Sequence, residues 1–344
     1  MRGNLSIAVL AAAALWAGRS DAAQATFKDW TVVCDNVRNC TAFGFPEEFS
    51  EPRAFLKIER GAAADAAPKL TAAVESESEA AQSWSLQVDG REVVAGLKPK
   101  RGEDDGLLRA ALPPAQARSL ATALLNGTAL AVKPQAGPGV SISLAGSSAA
   151  LRWMDDQQKR AGTVTALAAK GPGAAASIPP PPAIPLIRHG PVPSQDGVGE
   201  TLPKAVRARF GEDCDKTLSE DQRDPISARL APGVILWGDI CSNAAYQSVY
   251  SLFLSDEAGG HVRPVQLEDG RGGVLDNQII GAEFDAATLT LSSFYKGRGI
   301  ADCGEGDSWI WDGKAFRLSD QSVMSECRGL PPEDWPVSFV SRQK

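Results

Sequence analysis

Residues able to do chemistry crowd into one short stretch near the C-terminus. Asp302, Glu305 and Asp307 share the run DCGEGD with Gly304 and Gly306, and Trp309 and Trp311 follow directly. Carboxylates on a glycine-rich loop are oxygen ligands of the kind calcium takes, but the spacing is not that of an EF-hand. A solvated turn is the simpler expectation for the loop. Aromatic rings beside carboxylates also hold sugars or basic peptide segments, the ring supplying area and the carboxylate orientation. Asp302, Glu305, Asp307, Trp309 and Trp311 are therefore the candidate binding residues. The competing expectation is that both tryptophans line the core of a C-terminal sheet, because a core face and a binding face share one period.

Other constellations are weaker. The only histidines are His189 and His261, and no G-x-S-x-G elbow or HExxH pattern accompanies them. Ser293 and Lys296 match S-x-x-K, yet they lie in an alternating strand pattern where i and i+3 face opposite ways. Asp155 and Asp156 fall on a predicted helix, and successive helical positions diverge by about 100°. No catalytic residue, metal site or cofactor is expected. Six cysteines, Cys34, Cys40, Cys214, Cys241, Cys303 and Cys327, lack CxxC knuckles and suit an oxidising compartment. Pairing nearest neighbours gives 34–40, 214–241 and 303–327.

The candidate residues need a hairpin to hold them. Asp312-Gly313 is a type I′ turn signal between two alternating runs, and a two-residue turn there pairs Trp311 with Lys314 and Trp309 with Phe316. Asp89-Gly90 predicts a second hairpin, pairing Val88 with Arg91 and Leu86 with Val93. Further strands are expected near 27–34, 54–59, 70–74, 130–133 and 140–144. Beyond residue 230 a meander of five strand-like runs leads into the organising hairpin. Pro114 opens a helix with apolar positions at Ala117, Leu120, Ala121 and Leu124. Ser147 or Ser148 caps a second one running to about 160, and a short helix over 203–210 is stopped by Gly211.

A change of composition divides the chain. Eight of its 23 prolines fall within residues 171–193, which reads as an extended interdomain spacer, with recognition by a proline-binding partner the minor alternative. Two β-rich domains are expected, 26–168 as a sandwich with two helices and 198–344 as an antiparallel meander, joined by a linker over 169–197. Arg2, the apolar run 5–17 and small residues near 20–25 form a signal peptide over 1–25, with the mature chain starting near Ala23 or Thr26. About a dozen apolar residues are too few to span a bilayer, so no transmembrane segment is expected. A formal net charge of −7 gives no attraction to nucleic acid.

Three blocks carry a family resemblance: KDWTVVCDNVRNCTAFGF (28–45), LRWMDDQQKRAGTVTALAAKG (151–171) and GRGIADCGEGDSWIWDGKAFRLSDQSVMSECRG (297–329). The chain resembles the bacterial family called domain of unknown function 1176, whose members are mostly predicted periplasmic proteins. Its N-terminal half, including ISLAGSSAAL (142–151), is similar to the invasion-associated locus B family. That second resemblance implies a β-sandwich and a role at the host–bacterium interface. The expectation is thus a periplasmic or secreted, non-enzymatic protein that binds an envelope protein or glycan. The alternatives are an envelope-polymer hydrolase without a local motif, or a host-interaction factor. Converging carboxylates with shifted pKa values in a cleft would favour the hydrolase.

Overall fold

The two Asp-Gly turns close in different ways. Asp89 and Gly90 both take positive φ, 49° and 81°, as a type I′ turn requires. Val88 faces Arg91 as expected, after which the register slips and Leu86 meets Val94 rather than Val93. At the second turn only Gly313 is left-handed, with φ 94°. Asp312 Oδ1 accepts the N–H groups of Lys314 and Ala315 at 2.8 Å each, which opens a four-residue loop. Trp311 therefore faces Phe316 and Trp309 faces Leu318. The two-residue shift is even, so the bulky side chains keep their common face.

The computed structural model describes residues 23–48, 50–77, 82–102 and 106–344. Residues 1–22, most of the expected signal peptide, lie outside that set. Among the described residues the protein is mainly β. The first half packs the sheet Ala23–Phe27, Trp30–Cys34, Cys40–Gly44, Ala54–Arg60, Lys69–Glu75, Leu107–Ala111 and Lys100–Arg101 against a second one. That second sheet runs Val140–Ser143, Ala129–Pro134, Trp84–Val88, Arg91–Leu97. Trp30, Leu56, Ile58 and Leu86 meet Leu120 and Met154 of the helices Pro114–Ala123 and Ser147–Gln157 in one core. The second helix does not use a serine cap. Gly146 precedes it at φ 100°, where a Cβ would lie 1.8 Å from the Phe27 carbonyl oxygen, and Ser147 Oγ donates to the Leu124 carbonyl. It also stops at Gln157, because left-handed Lys159 turns the chain so that Arg160 points inward.

The second half holds two further sheets. Ile226–Ala231, Val234–Asn243 and Ser248–Ser255 form one, with Arg263–Pro264 and Gln278–Ile280 beside the last. Phe316–Met324, Gly304–Trp311, Thr290–Lys296 and Glu283–Asp285 form the other, flanked by Leu267–Glu268 and Val337–Val340. Within these two sheets pairing is antiparallel except where Leu267 meets Phe316. The helix Lys204–Asp213 continues through Gly211 and ends at Cys214, which is extended and bonded to Cys241. Disulfides join Cys34 to Cys40, Cys214 to Cys241 and Cys303 to Cys327, the pairing expected from spacing.

The halves share apolar surface. Phe43, Phe45, Phe55 and Leu107 of the first pack with Met324, Leu330 and Trp335 of the second, and Trp335 stacks on Phe294 at 5.4 Å. Arg109 donates to Asp334, and Arg328 pairs with Asp29 while lying over the Phe45 ring. The proline-rich stretch is not a free spacer. Ile178 and Ile187 are buried, Arg38 donates to the carbonyls of Pro179 and Pro180, and Leu186–Ile187 pairs in parallel with Arg342–Gln343.

Candidate functional site

The strand Gly304–Trp311 positions four of the five candidate residues. Alternation puts Glu305, Asp307, Trp309 and Trp311 on one face, and the neighbouring strands decide what each one meets. Trp309 lies between Leu291 and Leu318, and Trp311 opposite Phe316. Both rings are buried, at 1% and 2% exposure, and Trp309 Nε1 donates to the Glu268 carbonyl at 2.7 Å. The structure thus places both tryptophans in the core rather than on an exposed platform, and of the two only Trp309 also borders a described cavity.

Farther along the same face the neighbours turn polar. Asp307 sits between Ser293 and Gln321, and Glu305 between Tyr295 and Val323. The Gln321 amide donates to Glu305 Oε1 at 2.6 Å and to Asp307 Oδ1 at 2.8 Å. Ser338 Oγ donates to Gln321 Oε1 at 2.8 Å, so both ends of the amide are engaged. Burial, reinforced by the Glu305 charge, pushes the Asp307 carboxyl up to about 7 against the opposing bond from Gln321. Burial also raises Glu305, with Arg271 working the other way. Two carboxylates sharing one neutral donor have less compensation than their charges call for.

Of this pair, Glu305 lines a cavity of about 380 Å³ where the halves meet, and Asp307 lies on the same strand face behind that lining, joined to it through Gln321. Gln24 and Val33 enter it from the first half, Arg271 and Leu275 from the Leu267–Leu275 hairpin, and Glu305 and Gln321 from the sheet. A larger cleft of about 710 Å³ adjoins it at Glu268 and Leu318, with the proline-rich segment Pro182–Arg188 along its other wall.

Asp302 does not join the pair. It is buried, receives both arms of Arg298 at 2.6 and 2.5 Å, and accepts the Gly329 N–H at 2.7 Å. Burial alone would raise this carboxyl, but the Arg298 and Gly329 bonds hold it below its usual value. Among the described residues, the one trio of potential metal ligands brought together is Asp302, Cys303 and Cys327, and its two sulfurs are bonded to each other. The calcium reading of DCGEGD therefore has no converging ligand set.

The remaining sequence candidates have structural partners. Asp155 is fully buried and accepts the N–H groups of Leu167, Ala168 and Ala169, while Asp156 is exposed. Ser293 Oγ donates to the Ile280 carbonyl. His261 occupies a left-handed turn and meets Asp256 at 2.7 Å. Sequence pattern alone misses Gln321, Arg271 and Ser338. Gln321 lies in an alternating run, QSVM, that follows the hairpin, so its register across from Asp307 is the one signal that could have found it.

The molecule has relatives along its whole length. Uncharacterized protein YpfG of Escherichia coli (strain K12) is 27% identical over 355 residues, covering 97% of this chain and 97% of that protein. The crystal structure of invasion associated protein B from Bartonella henselae matches 40% of this chain and 99% of its own, with a TM-score of 0.32 and 18% identity. The model of the protein family of unknown function DUF1176 matches residues 24–342, and the chain belongs to that family.

Proposed function

We propose that this chain is an exported, non-enzymatic binding protein that receives a cationic group of its partner in the cavity between its halves. The observation that carries this reading is the Glu305–Asp307 pair: two carboxylates on one strand face, both within 2.8 Å of a single neutral amide nitrogen. An ammonium or guanidinium group entering beside them supplies the charge that Gln321 cannot. Charge-assisted hydrogen bonds of this kind are about twice as strong as neutral ones. The buried Trp309 ring and Leu275 give the cavity its apolar wall, which suits the aliphatic stem of a lysine or an amino sugar better than a bare ion. Three disulfides suit an exported location.

Titration calorimetry with penta-lysine and with a glucosamine oligomer tests the reading. Binding of either probe that is lost in the Glu305→Gln/Asp307→Asn double variant supports it. Equal binding by that variant, or binding of neither probe, contradicts it.

A second reading is favoured by one specific feature. Asp307, raised to about 7 beside a second carboxyl, has the raised pKa of the general acid that glycoside cleavage uses. Release of reducing ends from a cell-wall glycan by the wild type and not by Asp307→Asn would select this reading over pure binding.

A further inference from the structure

We propose that the Cys303–Cys327 bridge is a thiol-exchange site, opened by dithiols, that latches the second half onto the first. Exposure separates it from the other two bridges. Cys34 and Cys40 are both 2% exposed and Cys241 is 3% exposed, and Cys214 is only partly exposed. Cys327 is exposed while its partner Cys303 is 2% exposed. Cys327 is therefore the exposed residue of the bridge, and Cys303 belongs to the shared apolar cluster of Phe43, Phe55 and Trp335.

That asymmetry sets the chemistry. Exchange rates depend on access and on which sulfur is attacked, so an incoming thiolate bonds Cys327 Sγ. The bridge then breaks, and its electron pair leaves on Cys303 Sγ, which takes up a proton. The Cys303 thiol stays beside the mixed disulfide, its Cα only 4.7 Å from that of Cys327. On giving up its proton again, the Cys303 thiolate attacks Cys327 Sγ, re-forms the bridge and expels a monothiol. A dithiol escapes this return: its second thiolate attacks its own bound sulfur, closes a cyclic disulfide and releases Cys327 as a thiolate, which is then protonated. Two electrons pass from the dithiol to the bridge.

The position of the bridge gives exchange a consequence. The segment that follows Cys327 carries the contacts between halves: Arg328 on Phe45 and Asp29, Leu330 and Trp335 in the shared cluster, and Asp334 with Arg109 and Lys57. Gly329 N–H binds Asp302, the residue next to Cys303. The bridge thus roots the docking arm at the strand that carries Glu305 and Asp307. Opening it frees the arm beside the cavity.

The test uses the oxidised full chain. Dithiothreitol and 2-mercaptoethanol are applied at equal thiol concentration, free thiols are trapped by alkylation, and each pair is followed by peptide mass spectrometry. Hydrogen exchange of the same samples is read over 325–335 and, as a control, over 84–97. Reduction of 303–327 about tenfold faster than the other pairs is expected, with dithiothreitol effective and the monothiol not. Exchange over 325–335 should rise with it while the control stays fixed. The Cys303→Ser/Cys327→Ser variant should show the raised exchange without reductant, and partial reduction of the wild type decides the matter if that variant does not fold. Another bridge opening first, equal action of the monothiol, or unchanged exchange after reduction would each overturn the proposal.

Discussion

Glu305 and Asp307 stand two residues apart on one strand, and both accept hydrogen bonds from the same side-chain nitrogen of Gln321. Their strand continues into Trp309 and Trp311, which are core residues. A single alternating face therefore begins as hydrophobic core and ends as a carboxylate pair whose Glu305 lines a cavity.

The raised carboxyls make a stability prediction with a definite sign. Asp307 moves from 3.8 to about 7 on folding, mainly through burial, and Glu305 and Asp320 move the same way. The folded state then holds protons that the unfolded state has already lost, so stability falls as pH rises from about 4 to 7. Every tenfold gain in proton affinity on folding corresponds to about 1.4 kcal/mol. Melting temperature should be higher at pH 5 than at pH 8, and Asp307→Asn should flatten that difference. A wild type that melts highest at pH 8 would contradict the burial of this pair.

Trp311→Ala should destabilise the protein by roughly 3–5 kcal/mol, the cost of emptying a large core site. Trp311 is 2% exposed and touches Phe316 in the second-half core. Urea unfolding checks the figure. A variant as stable as the wild type would return Trp311 to the surface.

The contrast between the tryptophans and the carboxylates shows what the sequence can convey. The positions of the Asp-Gly turns, though not the exact register they set, the three bridges and the sandwich of the first half are legible because local turn chemistry, cysteine spacing and period-two alternation dictate them. The fate of Trp309 is not legible, since alternation assigns a face but not what covers it. Asp302 likewise reads as part of a site because its neighbours in sequence are acidic. Its own carboxylate is engaged by Arg298 and Gly329, and the second of these lies 27 residues away. The proline-rich stretch misleads for a related reason. Composition gives its stiffness, while Ile178 and Ile187 seat it on the protein.

Docking of the halves through Trp335 and Asp334 predicts that a chain cut within 171–193 keeps its fragments together. Size-exclusion chromatography after limited proteolysis should show one species in the wild type. Trp335→Ala removes a ring from the cluster shared with Phe43, Phe45 and Phe55 of the first half and should let the fragments separate. Immediate separation of wild-type fragments would contradict the shared core.

On the proposed export, the first strand limits where the chain is cut. Ala23–Phe27 pairs along its whole length with Trp30–Cys34, so a mature chain starting at Thr26 would lose three of its five residues. Mass spectrometry of the native protein should find cleavage at or before Ala23. An intact Met1 would contradict export by this route.

Proton release on binding tests the central claim most directly. A cationic group docking at a carboxyl poised near 7 must displace its proton, so binding and titration are linked. Calorimetry of penta-lysine at pH 7, repeated in buffers of different ionisation enthalpy, counts those protons. Release of up to about half a proton per ligand from Asp307, abolished in Asp307→Asn, is the predicted result. Binding with no proton release, or with the same release in the variant, would place the ligand elsewhere and contradict the account.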